Sequence, residues 1–232
     1  MKQCVLIVCV MTMIFGIAGM AQALPVRIHD NFIGDDDHGY GDVIGNVNVF
    51  GIDYMDVDIV GTTMTVDIKT PFDPDSSGAL GTEYGDLFIS VNGYTPETEV
   101  WEYVFDVSKG NLYDIRTAQD RILLSDDFIG PGYIYRNGQE VQINSDAPTE
   151  LTPLTTGGSA GRNGEYYSLS FDISGMDLLP GFDIGLHWAM TCGNDTIEGA
   201  YRPSPVPEPT TLLLLGAGLV GVFSVARKRT KQ

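Results

Sequence analysis

Between residues 24 and 201 apolar and polar positions alternate far more often than they recur at helical spacing. Alternation sends successive side chains to opposite faces of a strand. It predicts strands over 52–59 and 63–68 joined at Gly61, and another over 86–91. Residues 100–107 and 112–116 read as a hairpin turning at Lys109-Gly110-Asn111. Residues 133–136 and 140–143 flank Asn137-Gly138, a strong hairpin dipeptide, and read as its two arms. Further strands are expected over 165–173 and 184–191. The stretch 149–164, rich in Thr, Gly and Ser, reads as a long loop. With 28 glycines to supply the turns, the pattern predicts an all-β fold. The architecture expected is a single β-sandwich or jelly-roll-like domain over 24–205.

The two ends break this pattern. Lys2 precedes an apolar run over 5–18, and Ala21-Gln22-Ala23 follows as a small-x-small cleavage site. That order is the signature of a secretory signal peptide over 1–23, with signal peptidase cutting after Ala23; an uncleaved membrane anchor is the alternative. At the other end Val206-Pro207-Glu208-Pro209 leads into residues 210–226, which carry no charge. Arg227-Lys228-Arg229-Thr230-Lys231 follows. A helix of those 17 residues would be about 25 Å long, near the minimum for a hydrocarbon core of about 30 Å. Basic residues at its end favour the cytoplasmic side, which leaves the body outside. Gly216-Ala217-Gly218-Leu219-Val220-Gly221 fits a dinucleotide fingerprint in letters, but lacks the preceding strand and the acidic residue downstream.

Charge narrows the partners. The chain has 31 acidic and 13 basic residues; the two end segments hold five of the basic and one of the acidic. The body keeps eight basic against 30 acidic, a net charge of −22 that repels nucleic acid and anionic membranes. Cys192 is the single cysteine outside the leader, so no disulfide within the body is expected.

Three segments could carry chemistry. Asp35, Asp36, Asp37 and Asp42 cluster among glycines around His38, offering hard oxygen ligands suited to Ca²⁺. Asp73-Pro74-Asp75-Ser76-Ser77-Gly78 opens like a calcium loop, with Asp73 and Asp75 as ligands, but has Tyr84 where the twelfth-position Glu should stand. A solvated acidic turn is the alternative for both. The third segment runs from Leu186 to Gly199 and holds His187 and Cys192. Five residues apart on a strand, these two point to opposite faces, so a core strand ending in a Gly-Asn-Asp turn is the plainer reading. Glu140, Glu165 and Glu198 read as strand carboxylates that a glycoside hydrolase could use. No catalytic constellation stands out, and the body reads as non-enzymatic.

The order Pro207-Glu208-Pro209, apolar helix, Arg227-Lys228-Arg229 resembles the PEP-CTERM sorting signal. The resemblance implies recognition by an exosortase in the inner membrane of a Gram-negative bacterium and transient insertion of the helix. It also implies removal of the helix on the way to the cell surface or extracellular matrix, with exopolysaccharide as an associated partner. A plain C-terminal anchor over 206–232 is the alternative. The body resembles the XDD-type exosortase-dependent surface proteins. The cues are Gly34-Asp35-Asp36-Asp37-His38-Gly39-Tyr40-Gly41-Asp42-Val43-Ile44-Gly45, then Tyr84-Gly85-Asp86-Leu87-Phe88, then residues 187–195 from His187 to Asp195. That resemblance implies a β-rich surface protein and assigns no catalytic residue. A non-enzymatic matrix protein, a calcium-assisted carbohydrate-binding module and a polysaccharide hydrolase are the readings left open.

Overall fold

The computed structural model describes residues 24–31, 41–76, 78–79, 81–91, 94, 100–130, 133–146, 150–179 and 183–202, with positions 216 and 218. Leu24–Pro203 forms one compact unit; the other comprises Met1–Ala23 and Ser204–Gln232. In the latter only Gly216 and Gly218 are described, and both are helical. The expected leader and apolar run otherwise lie outside the described residues. Among those described, no helix is long and apolar enough to cross a membrane.

The Leu24–Pro203 unit is all-β. Among the described residues twelve strands run in order, beginning with β1 (Val26–His29), β2 (Tyr54–Val60), β3 (Thr63–Lys69), β4 (Leu87–Ser90), β5 (Tyr103–Asp106) and β6 (Asn111–Asp114). They continue as β7 (Ile122–Leu124), β8 (Glu140–Ile143), β9 (Ser159–Asn163), β10 (Tyr166–Asp172), β11 (Ile184–Ala189) and β12 (Thr196–Tyr201). One helical turn, α1 (Val47–Phe50), precedes β2; Asn46 caps it by accepting from the Asn48 amide. One sheet has the order β1-β2-β3-β10-β9 and the other β12-β11-β4-β5-β6, and every named pairing is antiparallel. β7 and β8 form a separate ladder.

Alternation explains how the sheets meet. Met55 and Val57 on β2, Met64, Val66 and Ile68 on β3, and Tyr167, Leu169 and Phe171 on β10 form the inner face of the first sheet. They pack into one core with Leu87, Ile89, Tyr103, Phe105, Leu186 and Trp188 of the second. The Phe105 and Phe171 rings stack across the sandwich at 4.3 Å. The outer face of the first sheet carries Tyr54, Asp56, Asp67 and Lys69 and stays partly solvated, as one-sided burial requires.

The second sheet behaves differently, because every residue of β4, β5 and β11 is buried. Its outer face holds Phe88, Val104 and Tyr113, which join Trp101, Ile115, Ala118 and Ile143 in a second core. The β7–β8 ladder and its flanking loops supply the cover. The unit is therefore a two-sheet sandwich with a partial third layer on one side.

Two expectations need correction. Residues 133–136 are not a strand. The turn at Asn137-Gly138 forms, with Gly138 at φ +72°. Asp126 captures the Gly138 amide and the Tyr135 hydroxyl, which anchors the approach to a turn over Ser125–Asp127. β8 then pairs with β7, whose three residues Ile122-Leu123-Leu124 show no alternation. The second correction concerns 149–164, which is not loop throughout. Residues 159–163 form β9, an edge strand turning into β10 at Gly164, φ +64°. Glu165 sits in that turn rather than on a strand and pairs with Lys69.

Candidate functional site

The described parts of the three quoted motif segments come together around residues 187–195. Trp188 is fully buried and donates its indole N–H to the Gly85 carbonyl at 3.0 Å. The Asn194 carbonyl accepts from the Ile44 amide at 2.7 Å. Both contacts join segments far apart in sequence, and each uses a residue that strand alternation directs inward or into a turn.

Tyr84-Gly85-Asp86 can be explained residue by residue. Tyr84 stacks on Tyr167 with centroids 3.8 Å apart. Gly85 has no room for a side chain: a Cβ would lie 2.2 Å from the Ala189 carbonyl oxygen and 2.6 Å from that of Val141. Asp86 is buried and accepts from the Val107 amide at 2.9 Å and the Ile143 amide at 2.8 Å, while its own amide donates to the Val141 carbonyl. Burial, reinforced by the neighbouring Asp106, pushes the Asp86 carboxyl up to about 8 against the pull of those two amides. The triplet thus fastens β8 to the edge of β4.

Around Asp42, in the first quoted segment, carboxylates gather. One oxygen each from Asp30, Asp42 and Asp195 lies within 4.8 Å of the others. Asp195 is fully buried and accepts from the Ile52 amide at 2.6 Å and the Thr196 amide at 3.0 Å. Burial pushes it up to about 8, with Asp42 adding to the effect and the Ile52 amide opposing it. Asp42 is also raised by burial, with Arg136 pulling the other way. The Arg136 guanidinium is buried and donates to the Gly41 and Asp42 carbonyls, holding this corner closed. Three carboxylate oxygens at such spacing are a donor set that a hard cation such as Ca²⁺ would accept.

Only part of this was in the expected ligand sets. Asp42 takes part; Asp35, Asp36 and Asp37 lie outside the described residues. Asp30 and Asp195 were not singled out, because nothing local marks residues so far apart as neighbours. Asp73 and Asp75 do not join the cluster: Asp73 accepts from the Asp75 amide at 3.1 Å in a local turn. Ala21, Ala23, Pro207, Glu208, Pro209, Arg227, Lys228 and Arg229 lie outside the described residues.

His187 and Cys192 are separated into different layers. Cys192 belongs to the main core, where burial pushes its thiol up to about 11. His187 faces the second core, fully buried, with Nδ1 3.0 Å from Glu198 Oε2 and Nε2 2.9 Å from the Glu140 carbonyl oxygen. Tyr94 donates its hydroxyl to the other Glu198 oxygen at 2.5 Å. Glu198, expected only as a strand carboxylate, is therefore the partner of His187.

Residues 205–229 match the family model of the PEP-CTERM protein-sorting motif. The chain is thus a carrier of a C-terminal sorting signal. More particularly it carries the PEP-CTERM sorting motif, a signal that implies export across the membrane, exosortase-dependent processing and surface localisation. No curated protein and no solved structure matches the chain.

Proposed function

We propose that residues 24–205 form a non-enzymatic body that is held at the cell surface or in the extracellular matrix in association with exopolysaccharide. Residues 1–23 act as its signal peptide and 206–232 as its sorting tail. The observation that carries this reading is the sorting-motif match, which begins at residue 205, a few residues after the last strand ends at Tyr201. The chemistry of the body agrees with it. His187 and Glu198 bond each other inside a core, and the Cys192 thiol is buried far from its reactive range. Antibody labelling of non-permeabilised cells should detect the body, and it should co-sediment with isolated exopolysaccharide. Labelling only after permeabilisation, or no co-sedimentation, overturns the respective half of the reading.

A second reading, a calcium-assisted carbohydrate-binding module, is favoured by one observation, the convergence of Asp30, Asp42 and Asp195. A ligand that binds only the folded state at 100 times its Kd stabilises by about 2.7 kcal/mol. Millimolar Ca²⁺ should then raise Tm measurably, and Asp195→Asn should abolish the rise. An unchanged Tm in millimolar Ca²⁺ removes this reading.

A further inference from the structure

The third layer is held down by side chains that titrate. β8 shares no ladder with either five-stranded sheet. It docks on the second sheet through the His187 bond to the Glu140 carbonyl, the Asp86 bonds to Val141 and Ile143, and Gln142 Nε2 to the Tyr84 carbonyl at 3.3 Å. Breaking these leaves all strand pairing in the sandwich intact.

The His187 bonds require a particular proton count. A carbonyl oxygen can only accept, so Nε2 carries a hydrogen. Nδ1 and Glu198 Oε2, 3.0 Å apart, then need one more proton between them. With it the pair is an imidazolium and a carboxylate, neutral in sum. Without it an imidazole lone pair faces a carboxylate in a layer closed to water, and one uncompensated negative charge is buried. Three elements supply the groups bonded around it. Glu198 comes from β12, Tyr94 from the segment after β4, and Glu140 from β8 itself. Glu102, Asp86 and Asp106 are buried carboxylates at the ends of the strands beneath this layer. Lys109 is bonded to Ser145 and Asp146. Phe88 and Trp101 rings, 6.0 and 5.4 Å from the imidazole, complete the dry wall.

We propose that the β7–β8 ladder is a pH-released cover, latched over the sheet by the proton that His187 and Glu198 share. Burial disfavours the charged ring, and the Glu198 bond together with the Glu140 charge more than offsets this, so His187 holds its proton above the usual histidine range. Asp86, raised by burial, acts in the same direction. The sign follows from linkage. A group whose folded pKa is raised stabilises the closed form fully below its ordinary value and loses that contribution as pH rises through the folded one. The latch therefore loosens on going from neutral to alkaline pH, admits water to the second core and leaves the two-sheet sandwich in place.

Hydrogen–deuterium exchange of the full-length chain in detergent, corrected for intrinsic exchange rates, tests this. Opening of β8 should grow by up to about tenfold per pH unit above neutrality, while β2 and β3 keep their protection. In His187→Gln, which retains a donor for the Glu140 carbonyl but no titrating proton, that dependence should shrink to the share Asp86 carries. A β8 whose opening is independent of pH overturns the proposal, as does one that opens only in step with β3, or an undiminished dependence in the variant. Should His187→Gln not fold, ¹⁵N chemical shifts of the His187 ring in the native chain decide. The ring must lose its proton over the same pH range in which β8 loses protection; a mismatch between the two overturns the proposal.

Discussion

Asp86→Ala removes the acceptor for two buried amides at once, Val107 and Ile143. A buried donor left without a partner costs about 1–3 kcal/mol, so the pair costs about 2–6 kcal/mol. For a unit of the size of Leu24–Pro203 each kcal/mol moves Tm by about 2–4 °C, which places the expected fall at roughly 5–20 °C. Asp86→Asn keeps one oxygen and turns an N–H toward the second amide, so its loss should be about half as large. The two variants also separate packing from charge. Asp86 sits near 8 in the folded chain, raised by burial and Asp106 above its ordinary value of 3.8. The folded state therefore holds a proton that the unfolded chain has released, and stability falls as pH rises from about 4 to about 8. Melts followed by circular dichroism at pH 5, 7 and 8.5 should show this slope in the native chain and a shallower one in Asp86→Asn. An Asp86→Ala protein melting within about 2 °C of the native one would refute the argument, and so would an undiminished slope in Asp86→Asn.

Other substitutions probe separate parts of the fold. Gly85→Ala puts a methyl group against the Ala189 and Val141 carbonyl oxygens, so β8 must shift; Tm should fall and β8 exchange should rise, whereas an unchanged β8 contradicts the close approach. Phe171→Ala empties one side of the inter-sheet stack and should cost about 3–5 kcal/mol in a urea titration, a loss below about 1 kcal/mol being incompatible with that packing. The Cys192 thiol, buried and pushed up to about 11, should resist Ellman's reagent at pH 8 until the chain is unfolded, and fast labelling of the native protein would contradict its place in the core.

What the sequence made legible follows the reach of its signals. One-sided strands announce themselves by alternation, and β2, β3 and β10 fell where it placed them. β7 lies in the third layer, has three apolar residues in a row, and offers no such signal. The arm expected at 133–136 failed because a side chain from elsewhere, Asp126, outbid the hairpin for the turn. β9 was hidden by composition, although Asn163-Gly164 is the same hairpin dipeptide that was credited at 137–138. For the site, Tyr84-Gly85-Asp86 and the segment from His187 to Asp195 were visible as motifs but not as neighbours. The Trp188–Gly85 bond crosses 103 positions, and no local pattern encodes a pairing at that range. Likewise Asp42 stood out in a run of carboxylates, while Asp30 and Asp195 acquire their meaning only once the sheets are assembled.

If the β-sandwich is cargo and the match at 205–229 its address, the fate of the body depends on the exosortase. Intact-mass analysis of the natural product, recovered by fractionation from a host with its exosortase and from one lacking it, tests this most directly. With the exosortase, the surface or extracellular fraction should yield a body shortened at both ends; without it, the tail should remain attached and the product should stay with the membrane. A full-length chain in the cytosol of both hosts, leader and tail intact, would contradict the account.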